Sequence, residues 1–250
     1  MRFLNLGLGD KIPDEKTIWL FREQLKEAGL IDLLFSRFDE HLRNSGFTAR
    51  KGQIIDASIV EVPCQRNKKE ENEKIKNGKE IEDWKDAKGR QKDVDARRVK
   101  KNGQNYYGYK NHICGDVKCK FVGRWDGTDA SVHESNVFTE LLDENNNSAD
   151  VYADSAYRWE QTLKKLEELG YGEHIQRKGC RNKALTSREK QGNRTPWKIR
   201  SRIERVFGVQ VQRAGNLICQ VIGFVRARVV IGLPNLAYNL QRYSMLMVSP

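Results

Sequence analysis

Gln53-Ile54-Ile55-Asp56-Ala57-Ser58-Ile59-Val60-Glu61-Val62 is the stretch on which the fold turns. It is short, rich in isoleucine and valine, and stopped by Pro63. Such residues suit a pleated surface, and an apolar run of this length predicts a buried strand. A carboxylate inside that run is poorly suited to a buried strand unless something compensates it. Asp56 is therefore a candidate for chemistry, set against the plainer reading of a turn residue at a strand end.

Upstream lie two helical patterns. Pro13 fits a first helical position, and Ile18, Phe21, Leu25 and Ala28 follow at spacings of three and four, with Gly29 as a stop. Ile31, Leu34, Phe35, Phe38 and Leu42 form a second stripe ending near Gly46. A glycine-joined helix pair can read DNA. Here the second helix carries Asp32, Asp39 and Glu40, which would meet a phosphate backbone badly.

Downstream, Gln65 to Lys101 holds 14 basic and 9 acidic residues with almost no apolar periodicity. It reads as a mobile insertion or surface arm anchored by Trp84. Tyr106 to Asp116 reads as a strand, and Cys119 to Trp125 as its hairpin partner, turning near Gly115-Asp116. A helix over Glu134 to Leu142, a strand over Asp150 to Asp154, a helix over Arg158 to Leu169 and a strand over Gly172 to Gln176 follow. Lys178 to Thr195 is a basic loop. Trp197 to Gln212 is a helix with Ile199, Ile203, Val206 and Phe207 inward. Val221 to Met247 reads as two helices broken at Gly232, with Pro234 opening the second. This order gives an α/β fold: a mixed five-stranded sheet with flanking helices, as in the ribonuclease H-like fold, plus an N-terminal helical pair and a C-terminal helical tail. The division is a helical segment over 1–50 and an α/β domain over 51–250, with a charged insertion at about 64–105.

The chain has 250 residues and a net charge of +11. From Arg177 to Arg228 there are 14 Lys or Arg against only Glu189 and Glu204, so this block carries +12 and the rest is near neutral. A cationic block on a neutral body is the footprint of a polyanion, nucleic acid first, against the alternative of a merely solvated basic surface. Cys64, Cys114, Cys119, Cys180 and Cys219 form no CxxC pair, so no zinc site is expected and reduced thiols are. No signal-like opening and no 18-residue apolar run occurs, which predicts a soluble protein of the cytoplasm.

Asp56 ends the apolar run Gln53-Ile54-Ile55, Asp154 closes Val151-Tyr152-Ala153, and Glu204 lies on a helix in the basic run Lys198–Arg205, beside Lys198, Arg200, Arg202 and Arg205. Three converging carboxylates repel one another and raise one another's pKa unless cations fill the site. Mg²⁺ suits them, and two such ions would serve an in-line phosphoryl transfer. The plainer readings are a helix N-cap for Asp154 and a surface ion pair for Glu204.

The chain resembles DDE-type transposases of bacterial insertion sequences, of the insertion-sequence-five kind and related to the insertion-sequence-four group. The resemblance is carried by Gly52-Gln53-Ile54-Ile55-Asp56-Ala57, Tyr107-Gly108-Tyr109-Lys110-Asn111-His112, Ala153-Asp154-Ser155-Ala156-Tyr157-Arg158, Ile203-Glu204-Arg205-Val206-Phe207 and Gly232-Leu233-Pro234-Asn235-Leu236-Ala237-Tyr238-Asn239. It implies a ribonuclease H-like core with Asp56, Asp154 and Glu204 as catalytic metal ligands for two Mg²⁺ ions, which Mn²⁺ can replace. It implies cleavage at element ends, strand transfer into target double-stranded DNA, and a homo-oligomer assembled on DNA at the bacterial nucleoid.

In the family signature Tyr-x2-Arg-x3-Glu-x6-Lys, Trp197 stands at the tyrosine place, Arg200 at the arginine place and Val211 at the lysine place. Arg213 is two residues on, at a different helix angle. Arg200 and Glu204, four apart, share a helix face. Arg177, Lys178, Trp197, Lys198, Arg200, Arg202 and Arg213 are the DNA-binding candidates, and His133 is a candidate border of the metal site, otherwise a helix-cap neighbour. Relatives carry a further helical region ahead of the segment that opens this chain. The expectation is an upstream reading frame or a truncated copy. The rival readings are a catalytically silent DNA-binding remnant acting as a regulator, and a nuclease that cuts without joining.

Overall fold

The computed structural model describes residues 7, 9–49, 51–63, 65, 67–79, 84–101, 103–179, 183–214 and 218–248, with the side chains of 213 and 214 outside the described part. Its elements are α1 (Glu15–Glu27), α2 (Ile31–Asn44), β1 (Gln53–Glu61), α3 (Lys69–Lys76), α4 (Asp86–Gly89), β2 (Arg97–Lys101), β3 (Gln104–Asp116) and β4 (Val122–Asp129). These are followed by α5 (Glu134–Val137), β5 (Asp150–Ala153), a 3-10 turn (Ser155–Tyr157), α6 (Glu160–Glu168), β6 (Gly172–Ile175), α7 (Ser187–Gly192), α8 (Arg194–Ala214) and α9 (Phe224–Val248).

The strands make one mixed sheet in the order β2-β3-β1-β5-β6, with β4 also paired to β3. β1 runs antiparallel to β3 and parallel to β5, and β6 is parallel to β5. Successive residues of β1 point to opposite faces. Ile54 joins a core with Ile113, Trp125, Ile203, Val206 and Ile231. Ile55 joins another with Phe138, Leu141, Tyr157 and Leu166. A strand covered on both faces has no reason to alternate apolar with polar, which is why β1 reads as a continuous hydrophobic run. Each such buried side chain contributes roughly 1.5–3 kcal/mol.

Among the described residues the sheet has six strands, not the expected five. β2 lies inside the charged segment expected to be a mobile arm. That segment also holds α3 and α4, and Asp93 pins its far end. The Asp93 carboxylate, buried, accepts from the Tyr109 hydroxyl at 2.8 Å, and its carbonyl accepts from the Tyr107 hydroxyl at 2.8 Å. The hairpin turn lies past Asp116 rather than at Gly115, with Lys120 at φ 65° and β4 beginning at Val122. α5 is only four residues long and its continuation is turns. α7 forms within the expected basic loop, started by a Thr186–Glu189 capping box.

The C-terminal tail is one helix, α9, with Pro234 inside it. Gly232 is not a break. A Cβ there would lie 2.6 Å from both Ile31 and Trp125, so the glycine lets α2 and β4 press onto the helix backbone. The motif that follows it is a set of clamps. Asn235 exchanges amide hydrogen bonds with Asn111 at 3.0 and 3.1 Å, and Asn239 bonds both the N–H and the carbonyl of Val122. On α1, only Leu25 of the expected stripe is buried. Ile18 and Phe21 are exposed, and Glu23 is buried instead, held by Arg226 of α9.

Candidate active site

Ile55 of β1 pairs with Ala153 of β5 in parallel register. Asp56 follows on β1, which runs on to Glu61, and Asp154 follows the last residue of β5, so the two aspartates are neighbours where β5 ends. Asp56 is buried, and its Oδ1 accepts from the N–H of Ala57 at 2.8 Å. Burial pushes its carboxyl up to about 6, against the pull of Arg200 and the Ala57 amide, with Asp154 adding to the rise. Asp154 caps the 3-10 turn through Oδ1, which accepts from Ala156 N–H at 2.7 Å. The capping role and a place at the site are thus compatible, since its other oxygen is not used by the cap.

α8 brings the third carboxylate. Ile203 and Val206 are buried against the sheet, which turns Arg200 and Glu204 toward the same edge. α8 can lie this close because Gly115 of β3 offers no Cβ; one there would meet Ile203 Cδ1 at 2.7 Å. The Arg200 fork then spans two acids. It donates to Asp56 Oδ2 at 2.7 Å and to Glu204 Oε1 at 2.6 Å. The arginine is 15% exposed at the side chain, whereas Glu204 is 55% exposed. Glu204 thus joins Asp56 only through a guanidinium.

A family model described as a transposase DDE domain matches residues 48–240. The chain belongs to the DDE transposase family. No solved structure matches the chain. The matched span contains Asp56, Asp154 and Glu204, and transposases of this family act on DNA and generally use divalent metals.

Whether these residues fit a metal is decided residue by residue. Asp56 and Asp154 fit: they are hard oxygen donors on neighbouring strands, and the Asp154 cap uses only one of its oxygens. Glu204 does not join them in this arrangement, because Arg200 fills the space between. Among the described residues no set of three Asp, Glu, His or Cys side chains is close enough to hold an ion.

The expected DNA-binding residues of the transposase divide by surface. Trp197 is 58% exposed at the start of α8, and Lys198 is exposed beside it. Arg202 is exposed as a residue but donates to the Val117 carbonyl at 3.2 Å. Arg177 is exposed near Glu189, at 3.8 Å, and Lys178 is exposed on the loop leading to α7. Arg213 falls in the last turn of α8, outside the described side chains. His133 is the N-cap of α5: its Nδ1 accepts from Ser135 N–H, and its ring meets Trp159 edge-on at 5.1 Å. His112 is buried as packing, with Nε2 bonded to Thr128 Oγ1 at 2.9 Å.

Two further buried groups have partners that the sequence reading did not assign. Lys110, largely buried, donates to the Val132 carbonyl at 2.7 Å and pairs with Glu134 at 3.7 Å. Tyr157, fully buried, closes the turn that Asp154 begins. The available signal was position: Lys110 two residues from His112 on β3, and Tyr157 three residues after an aspartate that ends a strand.

Proposed function

We propose that this protein is the transposase of a bacterial insertion sequence of the insertion-sequence-five kind. It cuts phosphodiester bonds at the element ends and joins the freed 3′-hydroxyls to target DNA. One observation carries the reading: Asp56 of β1 lies beside the end of the parallel strand β5, which Asp154 follows, and Arg200 of α8 ties Asp56 to Glu204. That placement agrees with a ribonuclease H-like core over residues 51–250, with the helical segment over 1–50 as its appendage.

Asp56 and Asp154 would hold the divalent ions, Mg²⁺ by the hardness of the donors, with Mn²⁺ able to replace it. Bound there in a pair, they would supply activation of a water or 3′-hydroxyl and offset of charge on the leaving oxygen. The protein's part is orientation. Strand pairing fixes the two aspartates, and the Asp154 cap holds its carboxylate against rotation. Glu204 enters the set when Arg200 lets go of Asp56, and the freed guanidinium then faces a DNA phosphate, which it binds with the same fork. Trp197, Lys198, Arg177 and Lys178 present the basic surface along which the DNA backbone lies. The working form is a homo-oligomer that brings two ends together in the bacterial cytoplasm. No described helix is long and apolar enough to cross a membrane.

The test is a strand-transfer assay on element-end DNA with Mg²⁺ or Mn²⁺, comparing the parent with Asp154→Asn. The variant is expected to bind DNA but lose both cut and joined products. A parent that binds ends and never cuts them would make the protein a silent regulator. Cutting without joining would make it a nuclease.

A further inference from the structure

The β2–β3 hairpin carries charge of one sign and runs on past the rest of the sheet. Between Asp95 and Asp116 the sequence has five Lys or Arg and no acid. Four of the five, Arg97, Arg98, Lys100 and Lys101, lie on β2. β1 pairs with β3 only as far as Gly108, and β4 only as far as Tyr109. Residues 104–106 of β3 therefore pair with β2 alone, as a two-stranded ribbon. Arg98, Lys100 and Asn105 are all exposed on it.

A lone ribbon is marginal in water, and this one is held at its base. The Tyr107 carbonyl accepts from Val62 N–H at 3.0 Å, and the Tyr107 hydroxyl donates to the Asp93 carbonyl at 2.8 Å. Arg97 reaches α3, donating to the Ile75 carbonyl at 3.4 Å. Arg98 stands opposite Tyr107 and Lys100 opposite Asn105, so these four side chains share one face. The Arg98 guanidinium lies over the Tyr107 ring, 5.9 Å from its centre, and so rests on an anchored aromatic. Lysine on an edge strand also discourages pairing with other chains. That purpose does not account for a ribbon prolonged past the sheet, free of acids, with an amide set opposite a lysine.

We propose that this ribbon enters the major groove of duplex DNA and reads base edges with Arg98, Lys100 and Asn105. The proposal rests on the reading of the chain as a transposase acting on DNA. It adds a second contact, at the opposite edge of the sheet from β6 and the Arg177–Lys178 loop that follows it. The major groove, about 12 Å wide, admits two strands lying about 4.8 Å apart. A ribbon of five residue pairs, at about 3.4 Å for each, spans roughly five base pairs. Arginine and lysine match the N7 and O6 edge of guanine, and asparagine matches the N6 and N7 edge of adenine.

The experiment uses the full chain and two probes: a labelled mixed-sequence duplex, and the same duplex methylated at guanine N7, an atom of the major-groove edge. Binding is read by fluorescence anisotropy for the parent, the double variant Lys100→Ala/Asn105→Ala, and Lys164→Ala. Lys164, exposed on α6, is the charge control. All three are expected to melt together, since every substituted side chain is exposed. The parent is expected to bind the methylated duplex about three- to tenfold more weakly than the plain one. The double variant is expected to bind the plain duplex about tenfold more weakly than the parent and to treat both duplexes alike. Lys164→Ala should match the parent on both within about twofold. Indifference of the parent to methylation would overturn the proposal, because the ribbon would then lie outside the major groove. A double variant with the parent's affinity and methylation response would overturn it by showing the ribbon idle. An equal loss in Lys164→Ala would overturn it by reducing the effect to net charge. So would a DNA-free parent dimer that the double variant splits on size exclusion, which would assign the ribbon to a second copy of the chain. A parent that binds neither duplex would instead sink the transposase reading on which the proposal rests.

Discussion

Arg200 reaches across 144 positions of sequence to place its guanidinium 2.7 Å from the Asp56 carboxylate. The second arm of the same fork holds Glu204, so a single cation stands between two of the three acids. On the proposed metal reading, a guanidinium and a divalent ion would compete for the same Asp56 oxygen. Arg200→Met removes the competitor. Without ion it leaves a buried carboxylate alone, which is expected to cost about 2–3 kcal/mol of stability in urea denaturation. With Mn²⁺ the balance reverses, and the variant is expected to bind the ion several-fold more tightly than the parent. Weaker binding would mean that Arg200 orders the carboxylates rather than blocking them.

The sequence showed some of this and hid the rest, for physical reasons. β1 was legible because a doubly covered strand leaves an unbroken Ile/Val run, and an aspartate inside it stands out. The α8 face was legible because Ile199, Ile203 and Val206 recur at helical spacing. That Arg200 and Glu204 share a face follows from their separation of four. What arginine does with that face does not follow from spacing, because the Asp56 contact belongs to tertiary packing. β2 was missed because Arg97-Arg98-Val99-Lys100-Lys101 is an edge strand made of charge, which carries no apolar signal.

The tail offers a paired test of why the reading of Gly232 and Pro234 as a break failed. Those residues normally end helices, yet α9 runs through both. Gly232→Ala would press a methyl into Ile31 and Trp125, and is expected to cost about 1–3 kcal/mol. Pro234→Ala restores an N–H inside the helix and is expected to be neutral or stabilising by up to about 1 kcal/mol. Thermal melts of the two variants should move in opposite directions, or at least differ by several degrees. Were the helix broken at Gly232, both changes would be nearly silent.

α1 is tied down by charge more than by its apolar stripe. Glu23 accepts from Arg226 at 2.7 Å and from Lys26 at 2.6 Å, and those two hydrogen bonds hold its carboxyl down to about 2 from 4.5. A carboxyl lowered by folding stabilises fully above its unfolded value and loses that contribution as pH falls from about 4.5 toward 2. Glu23→Gln is therefore expected to cost about 1 kcal/mol at pH 7, discounted because Arg226 is 44% exposed. The difference from the parent should shrink steadily below pH 4.5 in urea titrations. A constant difference down to pH 3 would assign the effect to packing.

On the proposed reading, DNA contact separates from chemistry on α8. Lys198 is exposed and faces away from the carboxylates, whereas Arg200 is turned into them. Each phosphate neutralised by a cation adds about 0.9 to the slope of log affinity against log salt on duplex DNA. Lys198→Ala is expected to lower that slope by about one and to weaken binding to every duplex alike, whatever its sequence. Its ion affinity should match the parent, because no atom of Lys198 enters the Asp56–Arg200–Glu204 bridge. Asp154→Asn should do the reverse, with an unchanged salt slope and impaired ion binding. Fluorescence anisotropy on a labelled duplex between 50 and 200 mM salt, roughly the range over which such slopes are resolved, reads the first effect. A Lys198→Ala slope equal to that of the parent would move the DNA track off this helix and toward the Arg177–Lys178 loop.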